Sequence, residues 1–489
     1  MEVTETLRLE ARPVGDCIWE IPTGAKEGML VPARIYASEA LLREMDRGVF
    51  EQVTNVACLP GIVRASLCMP DGHWGYGFPI GGVAAFRADT GIISPGGIGF
   101  DINCGMRLIR TALTEEEVRP RLRELVDALF DAVPSGVGAR GFVRLSESEF
   151  TQVMTQGARW CVDRGYGWPE DLDHIEGRGA LPHADPAQVS ARAVSRGMHQ
   201  LGTLGSGNHY LEIQVVRPSG IHDSVTARAL GVGAPGQVCV MLHCGSRGFG
   251  HQIGTDYLRL FDQVMPRYGI SVRDRELACA PFRSQEGQAY FGAMSAAANS
   301  AFANRQVITH RVREVFSKVF GKDARDLGLS VVYDVCHNTA KLERHEVDGQ
   351  PLELVVHRKG ATRAFGPGAV DVPDVYREIG QPVIIGGSME TGSALLVGTA
   401  HAMHETWGST AHGAGRTMSR AQAKRRVWGE TLMQEMEERG IIVRAASKSG
   451  VAEEAGFAYK DLSAVVDVLD RLDISRKVVT LSPIGNIKG

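Results

Sequence analysis

The sequence predicts a mixed α/β fold in a single large domain over residues 1–489. Three observations support this class. Segments typical of strands alternate with segments typical of helices, and no proline- or serine-rich linker or internal repeat divides the chain. Hydrophobic residues make up 44% of the chain and charged residues 22%, so mixed β-sheets covered by helices can enclose a large core.

The first half of the chain predicts two helices separated by glycine-rich segments. A short polar helix is expected over residues 40–52, followed by a strand over Val53–Leu59. Residues 69–85 contain too much glycine and proline for a helix and predict a loop with short strands. Apolar residues at helical spacing predict an amphipathic helix over Glu115–Val133. Residues 134–190 are polar and glycine-rich, which favours an insertion or lid.

The second half of the chain predicts alternating strands and helices. The predicted strands are Leu211–Val216, Val238–His243 and Ser330–Val335, and the predicted helices are Gly287–Phe320 and Ser419–Arg439. Residues 346–356 have the pattern of a hairpin, in which Asp348 and Gly349 supply the tight turn.

Net charge and cysteine content restrict the kinds of partner and the cellular compartment that the sequence fits. A formal net charge of −4 argues against a polycationic body, so any contact with nucleic acid must be local. Nine cysteines without a CxxC pair favour a reduced, cytoplasmic protein. The N-terminus lacks a basic region followed by an apolar core, and no apolar run approaches the ~18 residues of a membrane span. We therefore expect no membrane partner.

An acid and a thiol lie three residues apart in the glycine-rich stretch that begins at Pro95. Asp101 offers a hard oxygen and Cys104 a soft sulfur, a combination that suits a divalent transition metal better than magnesium or calcium. A buried turn, whose cysteine acts as a small apolar residue, is the structural alternative.

Histidines at the ends of strand-like segments extend this ligand set. His209, His243 and His337 each have a small or polar neighbour, and any one of them also fits a core imidazole bonded to a backbone carbonyl. Together with Asp101 and Cys104 they would exceed the needs of one tetrahedral ion with an open position. The set therefore predicts two ions bridged by the cysteine thiolate, an arrangement suited to phosphoryl displacement.

A second candidate centre lies at His412, which small residues flank on both sides. An uncovered histidine can act as a nucleophile toward phosphorus, although a helix-capping turn is the alternative. Arg416 follows four residues later, and Arg247 and Lys359 also lie in glycine-containing loops. Solvated surface charge is the usual explanation for such residues, whereas their proximity to the candidate ligands suggests a groove that holds several phosphates.

Nine separated motifs resemble those of the RtcB family of GTP-dependent RNA ligases. They are Pro70–Gly82, Ser94–Gly105, Leu204–His209, His243–Gly248, Ala303–Gln306, Tyr333–Asn338, His357–Arg363, His412–Arg416 and Ile487–Gly489. The similarity covers nearly the whole chain from about residue 69, and it implies the single mixed α/β body of that family.

The resemblance implies a role for each candidate residue. One manganese ion would bind Asp101, Cys104 and His209, and a second would bind Cys104, His243 and His337, although the ligand types also fit zinc or another divalent ion. His412 would carry GMP. The guanylate-binding positions would be Asn208, Glu212, Asn338, Ser388, Ser393, Tyr459 and Lys488, with Glu212 and Lys488 facing the base. Arg247, Lys359 and Arg416 would hold RNA or nucleotide phosphates.

The implied reaction joins a 2′,3′-cyclic phosphate or 3′-phosphate RNA end to a 5′-hydroxyl end, at the expense of GTP. Both tRNA halves and damaged RNA fit as substrates, and an activating protein partner is compatible with this reaction. Two positions depart from the family pattern. Glu390 stands where glycine is common, and Ala411 stands where cysteine is common before the nucleophile. Glu390 would add an anionic side chain beside the nucleotide phosphates.

Two alternative functions fit the same residues. One is an enzyme that caps the 3′-phosphate of DNA or RNA with GMP and never seals it, and the other is a metal-dependent RNA-binding factor without catalysis. A capping enzyme needs no site for a 5′-hydroxyl strand, whereas binding alone does not require an exposed histidine beside a metal cluster.

Overall fold

The computed structural model describes residues 2–489 of the chain, with side chains from residue 6 onward. The strands are β1 (Arg12–Gly15), β2 (Ile18–Ile21), β3 (Ala33–Tyr36), β4 (Ser66–His73), β5 (Ile80–Arg87), β6 (Ile92–Ile93), β7 (Gly105–Thr114), β8 (Tyr210–Ile221), β9 (Gln237–Cys244), β10 (Ala280–Pro281), β11 (Ser330–Cys336), β12 (Asn338–Val347), β13 (Gln350–Lys359), β14 (Ala361–Arg363), β15 (Pro382–Gly386), β16 (Ser393–Gly398), β17 (Ser409–Ala411), β18 (Ile442–Ala445) and β19 (Ser475–Lys488).

The α-helices lie between these strands and cover the sheets. They are α1 (Glu2–Glu10), α2 (Glu39–Glu44), α3 (Arg47–Val56), α4 (Glu115–Val118), α5 (Leu122–Ala132), α6 (Glu147–Gln156), α7 (Ala158–Asp163), α8 (Ala191–Gly197), α9 (Ser224–Ala229), α10 (Arg247–Val264), α11 (Gln285–Phe320), α12 (Ala400–Glu405), α13 (Arg420–Lys424), α14 (Gly429–Glu438), α15 (Lys448–Glu453) and α16 (Leu462–Arg471).

Two large sheets organise the fold, which is the mixed α/β class that the sequence predicts. A seven-stranded sheet has the order β1-β2-β3-β4-β5-β13-β12, and an eight-stranded sheet has the order β11-β7-β9-β8-β19-β16-β15, with β18 added in parallel to β19. Most neighbouring strands are antiparallel, whereas β3 and β4 are parallel. The hairpin of β12 and β13 turns at Asp348 and Gly349, both with positive φ, as predicted.

Most residues of the long helix α11 are buried. It begins after Ser284, whose side chain accepts a hydrogen bond from the backbone N–H of Gly287, and it ends at Gly321 in the left-handed conformation. Because alanine is frequent along its length and small side chains allow close approach on every side, neighbouring helices cover most of its surface. Helices α6 and α7 from residues 134–190 pack against it. Their role as an insertion or lid stays a prediction.

One predicted strand is wrong and three predicted helices are interrupted in the structure. The strand predicted over Val53–Leu59 is wrong, because residues 47–56 form α3 and place Val49, Val53 and Val56 on one buried face at helical spacing. The helix predicted over residues 40–52 divides into α2 and α3, since Asp46 caps a new helix through the Gly48 N–H.

The other two differences are also interruptions of predicted helices. Pro120 lies in a 3-10 turn that separates α4 from α5 within residues 115–133. The helix predicted over residues 419–439 divides into α13 and α14, where a side chain larger than hydrogen at Gly429 would collide with the carbonyl of Lys448. In contrast, β4 and β5 are full strands of 8 residues each, longer than the short strands expected over residues 69–85.

Among residues 2–489, no helix combines the length and the apolar character that crossing a membrane requires.

Candidate metal centre and active-site cleft

A cleft of about 760 Å³ is walled by residues from both large sheets. The predicted site residues in its wall are Asp101, Cys104, Asn208, His243, His337, Asn338, Ser388, His412, Arg416, Tyr459 and Lys488. The predicted residues outside the wall are His209, Glu212, Arg247, Lys359 and Ser393. The structure therefore brings most of the predicted set to one cavity.

Five of these side chains form two triads that share Cys104. The ligand atoms of Asp101, Cys104 and His209 lie within 4.8 Å of one another, as do those of Cys104, His243 and His337. The Cys104 sulfur lies 3.4 Å from Nε2 of His209 and 3.1 Å from Nε2 of His243. His209 lies behind the cleft wall, where its Nε2 is 2.8 Å from Oδ2 of Asp101.

Strand register explains why residues so far apart in sequence meet here. Cys104 immediately precedes β7, whose residue Met106 pairs with His243 of β9. His243 also pairs with Tyr210, the first residue of β8, so His209 lies beside it. His337 follows β11, the other neighbour of β7. The ends of four adjacent strands therefore converge on one point.

The donor set fits a pair of divalent ions. Nδ1 of His243 donates to the Asn208 carbonyl at 3.0 Å, which leaves its Nε2 lone pair for a ligand. Nδ1 of His209 lies 3.0 Å from the Leu204 carbonyl and 2.9 Å from the Arg247 guanidinium, and its Nε2 faces Asp101. Nε2 of His337 lies 3.2 Å from Nε2 of His243, so both rings point a nitrogen at the space beside the Cys104 sulfur.

Electrostatics favour the ligating form of the imidazoles. Burial lowers the pKa of His243 and of His337 well below the usual value, and neighbouring histidines lower it further, so both rings are neutral. Burial raises the pKa of Asp101, but the adjacent His209 ring and the Arg247 guanidinium outweigh this effect and keep the pKa below its usual range. Burial lowers the pKa of His209, which favours its neutral, ligating form. Burial raises the pKa of the Cys104 thiol, so the thiolate needs a nearby cation.

A buried ion-pair network holds the loop that carries Cys104. Arg305 on α11 donates through Nε and NH2 to the carboxylate of Asp334, and its NH1 donates to the carbonyls of Asn103 and Cys244 at 2.9 and 2.8 Å. Arg107 donates to the same carboxylate at 2.7 Å. The long helix is thereby tied to the metal-site loop.

Substitution Asp334→Asn is expected to destabilise the protein by about 3–5 kcal/mol, because it leaves two buried guanidinium groups short of a counter-charge. Urea unfolding measures this loss. The matched control is Asp89→Asn, which breaks an exposed pair with Arg87 and should change stability little. Equal stability of the two variants would contradict the structural role of the network.

His412 is held by a buried carboxylate that the sequence analysis did not identify. Oδ2 of Asp71 lies 2.7 Å from Nδ1 of His412 and also accepts the backbone N–H of His412 at 3.1 Å. This bond places the proton on Nδ1 and leaves Nε2 free as the nucleophilic atom. The His412 ring lies 4.8 Å from the ring of His337, measured between centroids. The His412 side chain is only 13% exposed, but it lines the cleft, where it is oriented by Asp71 and adjacent to the candidate metal ligands.

Substitution Asp71→Asn is expected to slow GMP transfer to His412 by roughly 100- to 10,000-fold, because the amide no longer fixes the Nδ1–H tautomer. Adduct formation from GTP, followed by mass spectrometry across a range of pH, measures the rate and any displacement of its pH profile. Metal stoichiometry and the midpoint of thermal unfolding are the controls. An unchanged rate at every pH would exclude a positioning role for Asp71.

The predicted guanylate-binding residues divide into two groups. Asn208, Asn338, Ser388, Tyr459 and Lys488 reach the cleft, whereas Glu212 and Ser393 lie behind its wall. The Glu212 carboxylate accepts hydrogen bonds from the side-chain amides of Asn486 and Gln214, and Gln214 also donates to Ser393.

Glu212 and Lys488 are both buried, and each affects the pKa of the other. Burial raises the pKa of Glu212 to about 7 despite the attraction of Lys488. Burial also lowers the pKa of Lys488, which the carboxylates of Glu454 and Glu212 oppose.

The predicted phosphate-binding residues are placed differently from one another. Arg416 lies in the cleft wall, where it contacts Tyr459 and the Glu453 carbonyl. Arg247 has no carboxylate partner within 4 Å among the described residues, and its guanidinium faces Nδ1 of His209 at 2.9 Å. Lys359 does not reach the cleft, because its Nζ donates to the carbonyls of Tyr76 and Gly96. Burial lowers the pKa of Lys359 to about 7.

Glu390 and Ala411, the two residues that depart from the family pattern, both lie outside the cleft wall. The Glu390 carboxylate turns to Arg439 at 2.6 Å and accepts the Gly456 N–H at 2.7 Å, so it does not line the cleft. Ala411 is fully buried in β17 and faces the apolar core. The expectation that Glu390 lies against nucleotide phosphates is not supported by this geometry.

Sequence reasoning also missed Arg420 and Glu454. Both line the cleft, and Arg420 donates to Glu454 at 3.0 Å. No signal in their surroundings indicated a site, because Arg420 begins α13 and Glu454 directly follows α15, and charged residues are common at helix ends. Asp71 had a usable signal, since it belongs to the Pro70–Gly82 motif.

The fold and the cleft define a class of mixed α/β proteins in which a cluster of Asp, Cys and His ligands lies beside an oriented histidine. A family profile described as tRNA-splicing ligase RtcB matches residues 52–489. Three similar proteins carry that name. The Archaeoglobus fulgidus protein is 54% identical over 98% of both chains, and the Pyrobaculum aerophilum protein is 54% identical over 97% of this chain and 98% of its own. The Nanoarchaeum equitans protein is 50% identical over 98% of this chain and 100% of its own. The chain belongs to the RtcB family.

Proposed function

We propose that this protein is an RNA ligase that joins a 3′-phosphate end to a 5′-hydroxyl end through a GMP adduct on His412. The observation that carries this proposal is the orientation of His412 by Asp71 beside the candidate metal ligands. A hydrogen bond that fixes one nitrogen and leaves the other facing a polar cavity suits covalent nucleophilic catalysis. Membership of a family described as tRNA-splicing ligase supports RNA as the substrate.

His412 performs the first step. Its Nε2 attacks the α-phosphorus of GTP, forms a nitrogen–phosphorus bond and displaces pyrophosphate. The Asp71 carboxylate stabilises the positive charge that develops on the ring through the bond to Nδ1. The imidazole is a reactive leaving group in the adduct, so GMP can pass onward.

Two further transfers complete the reaction. An oxygen of the RNA 3′-phosphate attacks the phosphorus of the adduct and releases His412, which gives an RNA end capped with GMP. The 5′-hydroxyl of the second strand then attacks the RNA phosphate and displaces GMP. A 2′,3′-cyclic phosphate must first be opened by water to the 3′-phosphate. Each displacement requires the attacking and leaving oxygens to lie in line.

Two divalent ions, manganese by family resemblance, would be held by the two triads that share Cys104. When bound, such ions neutralise phosphate charge and align oxygens for displacement. The chain itself supplies cationic groups in the cleft wall, namely Arg416, Arg420 and Lys488. These local charges suit a polyanion even though the net charge of the chain is −4.

Lys488 and Glu212 are the proposed contacts of the guanine base. They come from the adjacent strands β19 and β8. Lys488 and Tyr210 both line the cleft, with Nζ of Lys488 5.4 Å from the Tyr210 ring centroid, whereas Glu212 lies behind the wall. Split tRNA halves and damaged RNA in the cytoplasm are the proposed substrates. An activating protein partner is compatible with this scheme.

Incubation with GTP, Mn²⁺ and a 3′-phosphate RNA, with and without a 5′-hydroxyl RNA, tests the proposal. The expected result is a sealed product only when both strands and GTP are present. Accumulation of a capped 3′ end that never seals would indicate the capping enzyme instead. Intact GTP and no acid-labile GMP on the protein would indicate a non-catalytic RNA-binding factor.

A further inference from the structure

Trp74 is an exposed aromatic side chain in the wall of the cleft that contains His412. It is 59% exposed, whereas most large apolar side chains of the described residues are buried. An exposed indole in a polar cleft gains little stability from its position, so a flat apolar ligand is a natural partner for it.

The Trp74 ring packs against a backbone segment that is held by hydrogen bonds. A Cβ at Gly48 would lie 1.8 Å from the indole, so the ring packs directly on a glycine backbone at the start of α3. The side chain of Asp46 caps this turn through the Gly48 N–H at 2.9 Å. The following residue, Gly75, is bonded to Gln52 through both its carbonyl and its N–H, at 2.5 and 3.1 Å. One face of the indole is thus fixed to the protein, which leaves the other face for a ligand.

Trp74 lies on the opposite wall from the proposed guanine contacts. It follows β4 of the seven-stranded sheet, where His73 pairs with Ile80 of β5. Lys488 and Glu212 belong to β19 and β8 of the eight-stranded sheet. The geometry points to a stacking site for an RNA base on Trp74, near the end that is joined, an inference that rests on the proposed ligase function. Aromatic platforms of this kind bind single-stranded nucleic acid without sequence preference.

The test compares Trp74→Ala, Trp74→Phe and the wild type in binding single-stranded RNA that carries a 3′-phosphate or a 5′-hydroxyl. Trp74→Ala is expected to weaken binding about tenfold, and Trp74→Phe to restore most of the loss, because stacking requires a ring. The rate of GMP transfer from GTP to His412 should be unchanged. Trp428→Ala is the matched control, since Trp428 is 84% exposed and lies outside the cleft wall; it should bind RNA as the wild type does.

Abasic nucleotides identify the stacked base. An abasic nucleotide is placed at each terminal position of each RNA in turn. At the position that stacks on Trp74, it should weaken binding to the wild type as much as Trp74→Ala does. The same abasic RNA should bind Trp74→Ala no more weakly than intact RNA does. The inference would be overturned if Trp74→Ala bound RNA as tightly as the wild type, or if Trp428→Ala lost as much RNA affinity as Trp74→Ala. It would also be overturned if the abasic nucleotide and Trp74→Ala weakened binding additively at every position. Loss of adduct formation with intact RNA binding would assign the ring to guanine and also overturn it. If RNA binding depends on Trp74 but no strands are sealed, the ligase proposal fails and the stacking site stands.

Discussion

Cys104→Ala is expected to abolish binding of both divalent ions and, with them, the formation of GMP on the protein. Cys104 is the one residue shared by the two triads, and its sulfur lies within 3.4 Å of two imidazole nitrogens. Loss of a group that only supports a metal ligand costs about 10–100-fold in affinity. Loss of the shared ligand itself should exceed roughly 100-fold. Titration with Mn²⁺, followed by calorimetry and metal analysis, measures the effect.

The matched control for this substitution is Cys239→Ala. Cys239 is also fully buried and lies in β9, but it faces an apolar core away from the cluster. It should retain both ions and the GMP adduct. Retention of two ions by Cys104→Ala, or an equal loss in both variants, would contradict the shared-ligand arrangement.

His412→Ala is expected to eliminate the GMP adduct and RNA sealing while both ions stay bound. The imidazole is the proposed nucleophile, and removal of a nucleophile typically lowers a rate by roughly 10⁴-fold or more. The metal ligands keep their own contacts, because His412 touches the cluster only through its packing against His337. Intact-mass measurement after incubation with GTP and Mn²⁺ detects the adduct, and metal analysis of the same sample counts the ions.

His401→Ala is the control, since His401 is exposed on α12 and lies outside the cleft wall. It should form the adduct at the wild-type rate. An adduct on His412→Ala at that rate would show that another residue accepts GMP. Loss of metal from His412→Ala to the extent seen in Cys104→Ala would contradict the division of roles between the two centres.

Local sequence patterns were sufficient to predict the elements whose structure depends on residues close together in the chain. The predicted helix Gly287–Phe320 agrees with α11 to within two residues because the alanine-rich run is bounded by a serine cap and a glycine. The Asp348-Gly349 turn is another local feature. Asp101 and Cys104 were recognisable as an acid and a thiol in a glycine-rich stretch, and the three histidines by their positions at strand ends. Strand register then brings the five together.

Contacts between distant segments account for most of what sequence reasoning missed. Asp71 and His412 are separated by 341 positions, so no spacing rule relates them. The strand expected over Val53–Leu59 failed because valines favour strands locally, whereas burial on one helical face decided the outcome. Lys359 was recognisable as a cation in a glycine-containing segment, but its burial against two carbonyls depends on the loops around Tyr76 and Gly96.

Anomalous diffraction from crystals grown with Mn²⁺ and a GTP analogue locates the ions and the nucleotide in one experiment. Two manganese peaks are expected to flank the Cys104 sulfur, one reaching Asp101 and His209 and the other His243 and His337. Nucleotide density is also expected, with the α-phosphorus opposite Nε2 of His412. A single peak, ions bound elsewhere, or a nucleotide that leaves His412 uncontacted would contradict this arrangement.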